Sequence, residues 1–376
     1  MQFTVSGYYG CGNAGDEAVL AGIREAFLRR AGDKVRLVVL SQDPERTTRE
    51  HGLAAVDRMR MATVRRTLRE SDLLLSGGGS LLQDTTSMRS LLYYLWVIRM
   101  AYRQGVPVMF YAQGLGPLKR RLSRALVRMA ADRAAAITVR DEPSARLLAA
   151  IGVKRPPIEV TADPAFALSP SSSEEIESLF QREGLPDDAP LLGVALRPWG
   201  SAGEVSNEAG ARLLKELQRQ CSAQIVLLPM QVPGDVAFAE SIARQTGSPD
   251  AFPIMRNAYS PATLLGLVGR LQGIVAMRLH ALIFAARMAV PPFALSYDPK
   301  VDNLMDRLGL SDSLARWPDF DPEEVAGRVA AILSERDSRS RCLAAQAADL
   351  EQRALRNADI ALEVAGSPLT PKAAGP

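Results

Sequence analysis

Gly273-Ile274-Val275-Ala276-Met277-Arg278-Leu279-His280-Ala281-Leu282 reads as a buried strand that passes directly into a helix. Arg278 and His280 sit at the transition, the carboxyl end of a strand, which is where open α/β sheets bind their ligands. Upstream and downstream the chain repeats the same step. Strands are predicted at 3–6, 35–40, 73–76, 108–112 and 136–139, with helices at 17–30, 62–70, 88–104, 122–133 and 143–151. After an interruption, strands follow at 192–196, 225–229, 274–276 and 292–295, again with helices between them. Apolar runs buried on both faces and joined by helices predict parallel, doubly wound sheets.

The interruption is Ser169-Pro170-Ser171-Ser172-Ser173, a linker leading into a capped helix with Ser173 and the acidic run 174–177 near its start. A chain of 376 residues exceeds one ordinary domain. The expectation is a Rossmann-like domain over 1–168 and a second over 169–363. A disordered tail, 364–376, follows. Two such domains would face a central cleft, so the chemistry is sought in the loops that follow strands.

Composition narrows the function. The chain is 47% hydrophobic and only 6% aromatic, which suits an α/β protein rich in Ala, Leu and Val. A formal net charge of +3 is no nucleic-acid footprint, so no nucleic-acid partner is expected. Cys11, Cys221 and Cys342 lie far apart and form no CxxC pair; neither zinc nor a disulfide framework is expected, and a reducing compartment fits. Residues 1–5 run straight into a strand without a basic and then apolar leader, and the most apolar stretch, 274–297, is broken by Arg278, His280, Arg287 and a proline pair. A cytoplasmic location is therefore expected. No metal cluster and no cofactor are expected either.

Three glycine-rich loops follow strands in the first half. Gly7-Tyr8-Tyr9-Gly10-Cys11-Gly12-Asn13-Ala14-Gly15-Asp16-Glu17 opens a helix, where free N–H groups favour an anion, yet Asp16 and Glu17 would repel a phosphate. The loop either touches a ligand, with the sugar the better fit, or is a tight turn capped by Asp16. Ser76-Gly77-Gly78-Gly79-Ser80 brings either a ligand or the neighbouring loop close to its backbone, and Gln113-Gly114-Leu115-Gly116-Pro117 is the third. Arg140 follows the strand at 136–139; its planar fork matches a carboxylate or phosphate, or forms a salt bridge to Asp141, Glu142 or another loop carboxylate. The basic stretches 58–69 and 119–133 read as solvated helix faces, or as surfaces meeting anionic headgroups or a pyrophosphate-linked acceptor.

In the second half, His280 is one of only two histidines. An unperturbed pKa of about 6.5 suits it for proton transfer at neutral pH, and its place beside Arg278 at a strand's end favours that over a satisfied structural histidine. The other, His51, lies in a polar stretch and reads as incidental. Lys300, in Ser296-Tyr297-Asp298-Pro299-Lys300-Val301, opens a helix against its dipole, which hints at an anionic partner; the alternative is an ordinary surface lysine. Arg197, at the end of this half's first strand, is a further contact candidate.

Together these segments resemble the polysaccharide pyruvyltransferase family, and within it the CsaB type. The resemblance rests on the 10–17 loop, Gly77-Gly78-Gly79-Ser80, Gln113-Gly114-Leu115-Gly116 and Val139-Arg140-Asp141. It continues through Ala162-Asp163-Pro164-Ala165, Met277-Arg278-Leu279-His280 and Ser296-Tyr297-Asp298-Pro299-Lys300. Each motif is weak alone; their order over the chain is specific. The resemblance implies a GT-B-like fold and transfer of pyruvate from phosphoenolpyruvate onto a sugar, often N-acetylmannosamine, as a 4,6-ketal. The implied acceptor is a lipid-linked precursor, at the inner membrane face, of a secondary cell-wall polysaccharide that retains S-layer proteins. By motif position, Arg140, His280 and Lys300 match residues the family uses for donor binding or catalysis.

The residues read by themselves agree. Phosphoenolpyruvate is doubly anionic, so Arg140 and Lys300, with Arg278 and Arg197, would hold it, and His280 would move the protons. Gly12, Asn13, Gly15, Asp16, Gly77, Gly78, Gly79 and Gln113 are the expected acceptor or loop contacts. Two other readings stay open: a glycosyltransferase with a nucleotide-sugar donor, and a non-catalytic glycan-binding scaffold. The sequence leaves the oligomeric state open.

Overall fold

The computed structural model describes residues 1–85, 87–186, 189–199 and 203–366. The chain divides into two compact units. The first comprises Met1–Cys11, Asp16–Leu168 and, among the described residues, 350–366; the second comprises Gly12–Gly15 and Ser169–Asp349.

The first unit begins with β1 (Gln2–Tyr9), α1 (Ala14–Ala31), β2 (Arg36–Ser41), α2 (Pro44–His51) and β3 (Ala54–Asp57). It continues with α3 (Met61–Arg69), β4 (Leu73–Leu82), α4 (Met88–Arg103) and β5 (Val108–Leu115). Then come α5 (Arg121–Ala131), β6 (Ala136–Val139), α6 (Glu142–Ala150) and β7 (Ile158–Val160). Its seven strands are parallel in the order β3-β2-β1-β4-β5-β6-β7. Right-handed crossovers put α1 and α2 on one face and α3 to α6 on the other. The core agrees: Val64 and Leu68 of α3, Leu91 and Val97 of α4 and Val127 of α5 pack with Leu74, Phe110 and Ile137 of the sheet. Strand order reverses between β1 and β4, and a crevice at such a switch point is where this topology binds ligands.

The second unit contains α7 (Ser173–Glu183), β8 (Leu191–Ala195), α8 (Gly203–Gln220), β9 (Gln224–Leu227) and α9 (Gly234–Gln245). Next are α10 (Pro261–Gly269), β10 (Gly273–Ala276), α11 (Leu279–Arg287) and β11 (Pro292–Ser296). It closes with α12 (Pro299–Arg307), β12 (Leu314–Arg316), α13 (Pro322–Ser334) and the start of α14 (Arg336–Gly366). Its five parallel strands run β12-β11-β10-β8-β9, with the reversal between β8 and β10. Alternate strand residues Leu192, Val194, Val275, Phe293 and Leu295 meet Leu213 and Leu217 of α8, Ile242 of α9 and Val329 of α13. No described helix is long and apolar enough to cross a membrane.

The structure adds elements that the apolar runs did not announce. β3 and β7 are short edge strands of half-exposed residues, so they carry little hydrophobic signal. The glycines 77–79 and Gln113 continue β4 and β5 rather than forming loops. The second domain, expected to run to 363, is cut short: α14 runs to Gly366, and from Leu350 onward it groups with the first unit. There Thr161 donates a hydrogen bond to Asn357 Oδ1 at 2.8 Å, and Arg29 and Arg30 of α1 pair with Glu351 and Asp359. The expected tail beyond 366 lies outside the described residues.

Candidate functional site

The carboxyl ends of β1, β4, β5 and β6 gather most of the first unit's motif residues. Gly77, Gly78 and Gly79 have φ of +145°, +73° and +104°, so a side chain at any of them is strained. Space forbids one as well: a Cβ on Gly77 would lie 2.3 Å from the Tyr111 carbonyl oxygen, and one on Gly78 2.1 Å from Val19 Cγ1. Internal packing thus accounts for these two glycines. Tyr9 donates its hydroxyl to the Gly77 carbonyl at 2.9 Å. Gln113, fully buried, donates its amide to the Gly79 and Gly114 carbonyls.

Arg140 is only 7% exposed. It donates from Nη1 to Asp163 Oδ2 and from Nη2 to Ser80 Oγ, each at 2.9 Å, and its Nε lies 3.5 Å from Asp141 Oδ2. Burial pulls its pKa down, but Asp163 and then Asp141 outweigh that and leave it raised. Gly114 clears the space for this fork, since a Cβ there would lie 2.8 Å from Arg140 Nε. The salt-bridge reading of Arg140 is the one realised. Its fork ties the glycine run of β4 to the turn after β7.

The β1–α1 loop is tied down from below. Glu17 is buried, accepts a hydrogen bond from the Gly10 N–H at 2.9 Å, and meets His51 Nε2 with its other oxygen at 2.9 Å. His51 is therefore not incidental: it is buried and supports the carboxylate that shapes the loop. Sequence missed it because its partner lies 34 residues away. Arg58 was also missed as an individual. It is buried with its guanidinium 4.4 Å from the Tyr93 ring centre, reaches toward the Gly7 carbonyl, and has no carboxylate at ion-pair distance among the described residues.

Gly12–Gly15 groups with the second unit, where it meets the β9–α9 connection. Asn13, not Asp16, serves as the cap of α1, accepting from the Gly15 N–H at 2.9 Å. Asn13 bridges to Gln231, and Ala14 donates its N–H to the Met230 carbonyl at 3.1 Å. Asp235 in turn accepts from the Met230 and Gln231 N–H groups, both at 3.1 Å. The same carboxylate grips Arg278: Nε at 2.9 Å on one oxygen and Nη2 on the other. Arg278, expected to hold the donor, is thus engaged bidentately and acts as a strut.

The circuit closes on His280. A Cβ on Gly15 would lie 2.2 Å from His280 Nδ1, so the glycine leaves the imidazole its place. Asp235 had no sequence signal beyond its position at a helix start. Its replacement, Asp235→Asn, weakens the grip on Arg278 while nearly keeping shape. Urea unfolding should show a loss of about 2 kcal/mol, the worth of one charge-assisted hydrogen bond. An unchanged midpoint would remove the strut.

Lys300 and Arg197 share Tyr297. Arg197 Nη1 lies 3.4 Å from the Tyr297 hydroxyl, and Lys300 Nζ 5.5 Å from the ring centre. Trp199 packs on the same ring at 4.4 Å between centroids. Lys300 does oppose its helix dipole, but Asp298 offsets this: it caps α12 by accepting from the Lys300 N–H, and its other oxygen lies 3.3 Å from Nζ. That pair is about one-third exposed, so it leaves the lysine available. α11 begins at Leu279 with no side-chain cap from Arg278, so its positive dipole end carries no capping side chain there. Among the described residues no three His, Cys, Asp or Glu side chains group as a metal site would need.

A family model described as polysaccharide pyruvyl transferase matches residues 13–299. The chain belongs to the polysaccharide pyruvyl transferase family. It is accordingly a transferase. The match takes in Arg140, Arg278 and His280 and ends one residue before Lys300. No curated protein matches the chain in sequence. Solved structures similar to this family member include Anabaena HepE in complex with UDP-glucose, at 14% identity and a TM-score of 0.62, covering 96% of this chain and 99% of that one. Another is the Neisseria meningitidis UDP-GlcNAc 2-epimerase bound to UDP-GlcNAc, at 13% identity and 0.65, covering 96% and 100%. A Rickettsia africae glycosyltransferase follows at 9% and 0.62, covering 97% and 99%. These likenesses establish the fold of this family member as GT-B-like, with two sheets of parallel strands.

Proposed function

We propose that this protein transfers the pyruvyl group of phosphoenolpyruvate to a sugar of a lipid-linked cell-wall polysaccharide precursor. It would close a 4,6-ketal, on N-acetylmannosamine as in the CsaB type, and release phosphate in the cytoplasm. The observation that supports this best is the housing of His280 in the first turn of an α11 that lacks a side-chain cap, with Gly15 kept bare beside it.

The reaction needs one proton on the methylene carbon and two taken from sugar hydroxyls. Protonation of C3 makes C2 electrophilic. The first hydroxyl adds there, the C2–O bond to phosphate breaks, and the second hydroxyl closes the ring. One hydroxyl proton replaces that given to C3 and the other leaves with phosphate. An imidazole can both give and take these protons. Arg197 and Lys300 are assigned the donor's carboxylate and phosphate, and fixed cations at the developing charge supply much of the rate. Arg278 and Arg140 are assigned positioning parts, because their forks are spent on Asp235, Asp163 and Ser80.

The test is release of phosphate from phosphoenolpyruvate with and without a sugar acceptor, run beside release of UDP from nucleotide sugars. Phosphate release that depends on the acceptor is expected. UDP release with no phosphate would make the protein a glycosyltransferase, as its structural relative from Rickettsia africae is named. Arg197→Ala should raise KM for phosphoenolpyruvate about tenfold with little change in kcat, as loss of ground-state binding does. A parental KM would take Arg197 out of the site.

A further inference from the structure

We propose that the outer face of α3, α4 and α5 docks on an anionic lipid bilayer. The three helices lie side by side over one face of the first sheet, sharing a core through Leu68, Leu91 and Val127. None of them contains an aspartate or glutamate. From Met61 to Ala131 the chain holds 11 Arg and Lys against three acidic residues, a net +8 in a chain whose total is +3. A face built only for solvent mixes both signs, and surface arginines find carboxylates at helical spacing. Here, among the described residues, Arg128 with Asp132 makes the only ion pair from the three helices. α5 even begins on Arg120 and Arg121 without an acidic first turn, against its own dipole.

Large apolar side chains stand among these cations. Leu122 is 63% exposed, Met129 66% and Leu92 46%. On α5, Arg121, Arg124 and Arg128 recur at helical spacing, with Leu122 and Met129 on the adjoining stripe and Ser123 and Val127 inward. Basic and apolar residues exposed on the same surface are what an interfacial helix presents to lipid. A nucleic-acid backbone would use the cations but gain nothing from Leu122 and Met129, so a bilayer is the better fit.

The inference concerns a surface apart from the proposed chemistry and stands whichever donor the enzyme uses. Co-sedimentation with vesicles tests it without turnover. The full-length protein should pellet with vesicles of equal phosphatidylglycerol and phosphatidylcholine at low salt, not with pure phosphatidylcholine, and release as salt rises. Charge reversal at Arg65, Arg69, Arg121 and Arg124 to Glu should cut partitioning at least about 100-fold. Leu122→Ser with Met129→Ser should weaken binding several-fold and leave its salt dependence in place, a second arm in case charge reversal harms folding. Equal binding to neutral vesicles, no loss in either variant, or retention of duplex DNA in place of vesicles would overturn the proposal.

Discussion

Gly15→Ala should lower kcat for phosphate release about 100-fold, because displacing a catalytic group by about an ångström costs that much. The methyl would arrive 2.2 Å from His280 Nδ1 and 2.8 Å from Cε1 and Cγ, so the ring must swing away. Folding should hardly suffer. Gly15 lies in the first turn of α1, where alanine is the better helix former by up to about 1 kcal/mol, and that gain works against the crowding. Activity should fall steeply, then, with a thermal midpoint within a few degrees of the parent's. His280→Ala alone should cost about 10²–10⁴-fold, the usual worth of a general acid–base. The double variant should be no worse than His280→Ala, since crowding an absent ring does nothing. A Gly15→Ala enzyme with parental kcat, or a further drop in the double variant, would remove His280 from the proposed role.

Arg140→Ala should destabilise the protein by about 3–5 kcal/mol, as removing one partner of a buried ion pair does. It strands Asp163, which is 4% exposed, and releases Ser80. Arg140→Lys keeps a charge but cannot reach Asp163, Ser80 and Asp141 at once, so most of the loss should remain. Adding Asp163→Asn to Arg140→Met should restore part of the stability, because the stranded charge goes too. Urea midpoints decide the matter. An Arg140→Ala variant as stable as the parent yet inactive would return Arg140 to the donor clamp; the geometry expects loss of stability and activity together.

Sequence made the architecture legible where strands are buried on both faces. β1, β4, β5, β8, β10 and β11 all read as apolar runs, and each leads into one of the motifs. Edge strands such as β3 and β7 did not, because half-exposed residues leave no periodic contrast. The site divided along a similar line. His280, Arg140 and Lys300 announce themselves by residue type at a strand's end. Whether a cation is free for a ligand depends on its partners. Asp163 lies 23 residues from Arg140 and Asp235 lies 43 from Arg278, distances that only folding closes. The glycines at 15 and 114 looked like turn residues, and their use as clearance for a neighbouring ring or fork is a fact of packing. His51 was misjudged because a polar sequence neighbourhood says nothing of a buried carboxylate brought from α1.

The return of the last helix has a practical outcome for anyone wishing to handle the halves separately. No single cut separates them. Severing the chain at the serine-rich linker would leave the amino-terminal piece without Asn357, Glu351 and Asp359, the partners that α14 gives Thr161, Arg29 and Arg30. Supplying 350–366 as a separate peptide is the way to give that piece back its missing wall.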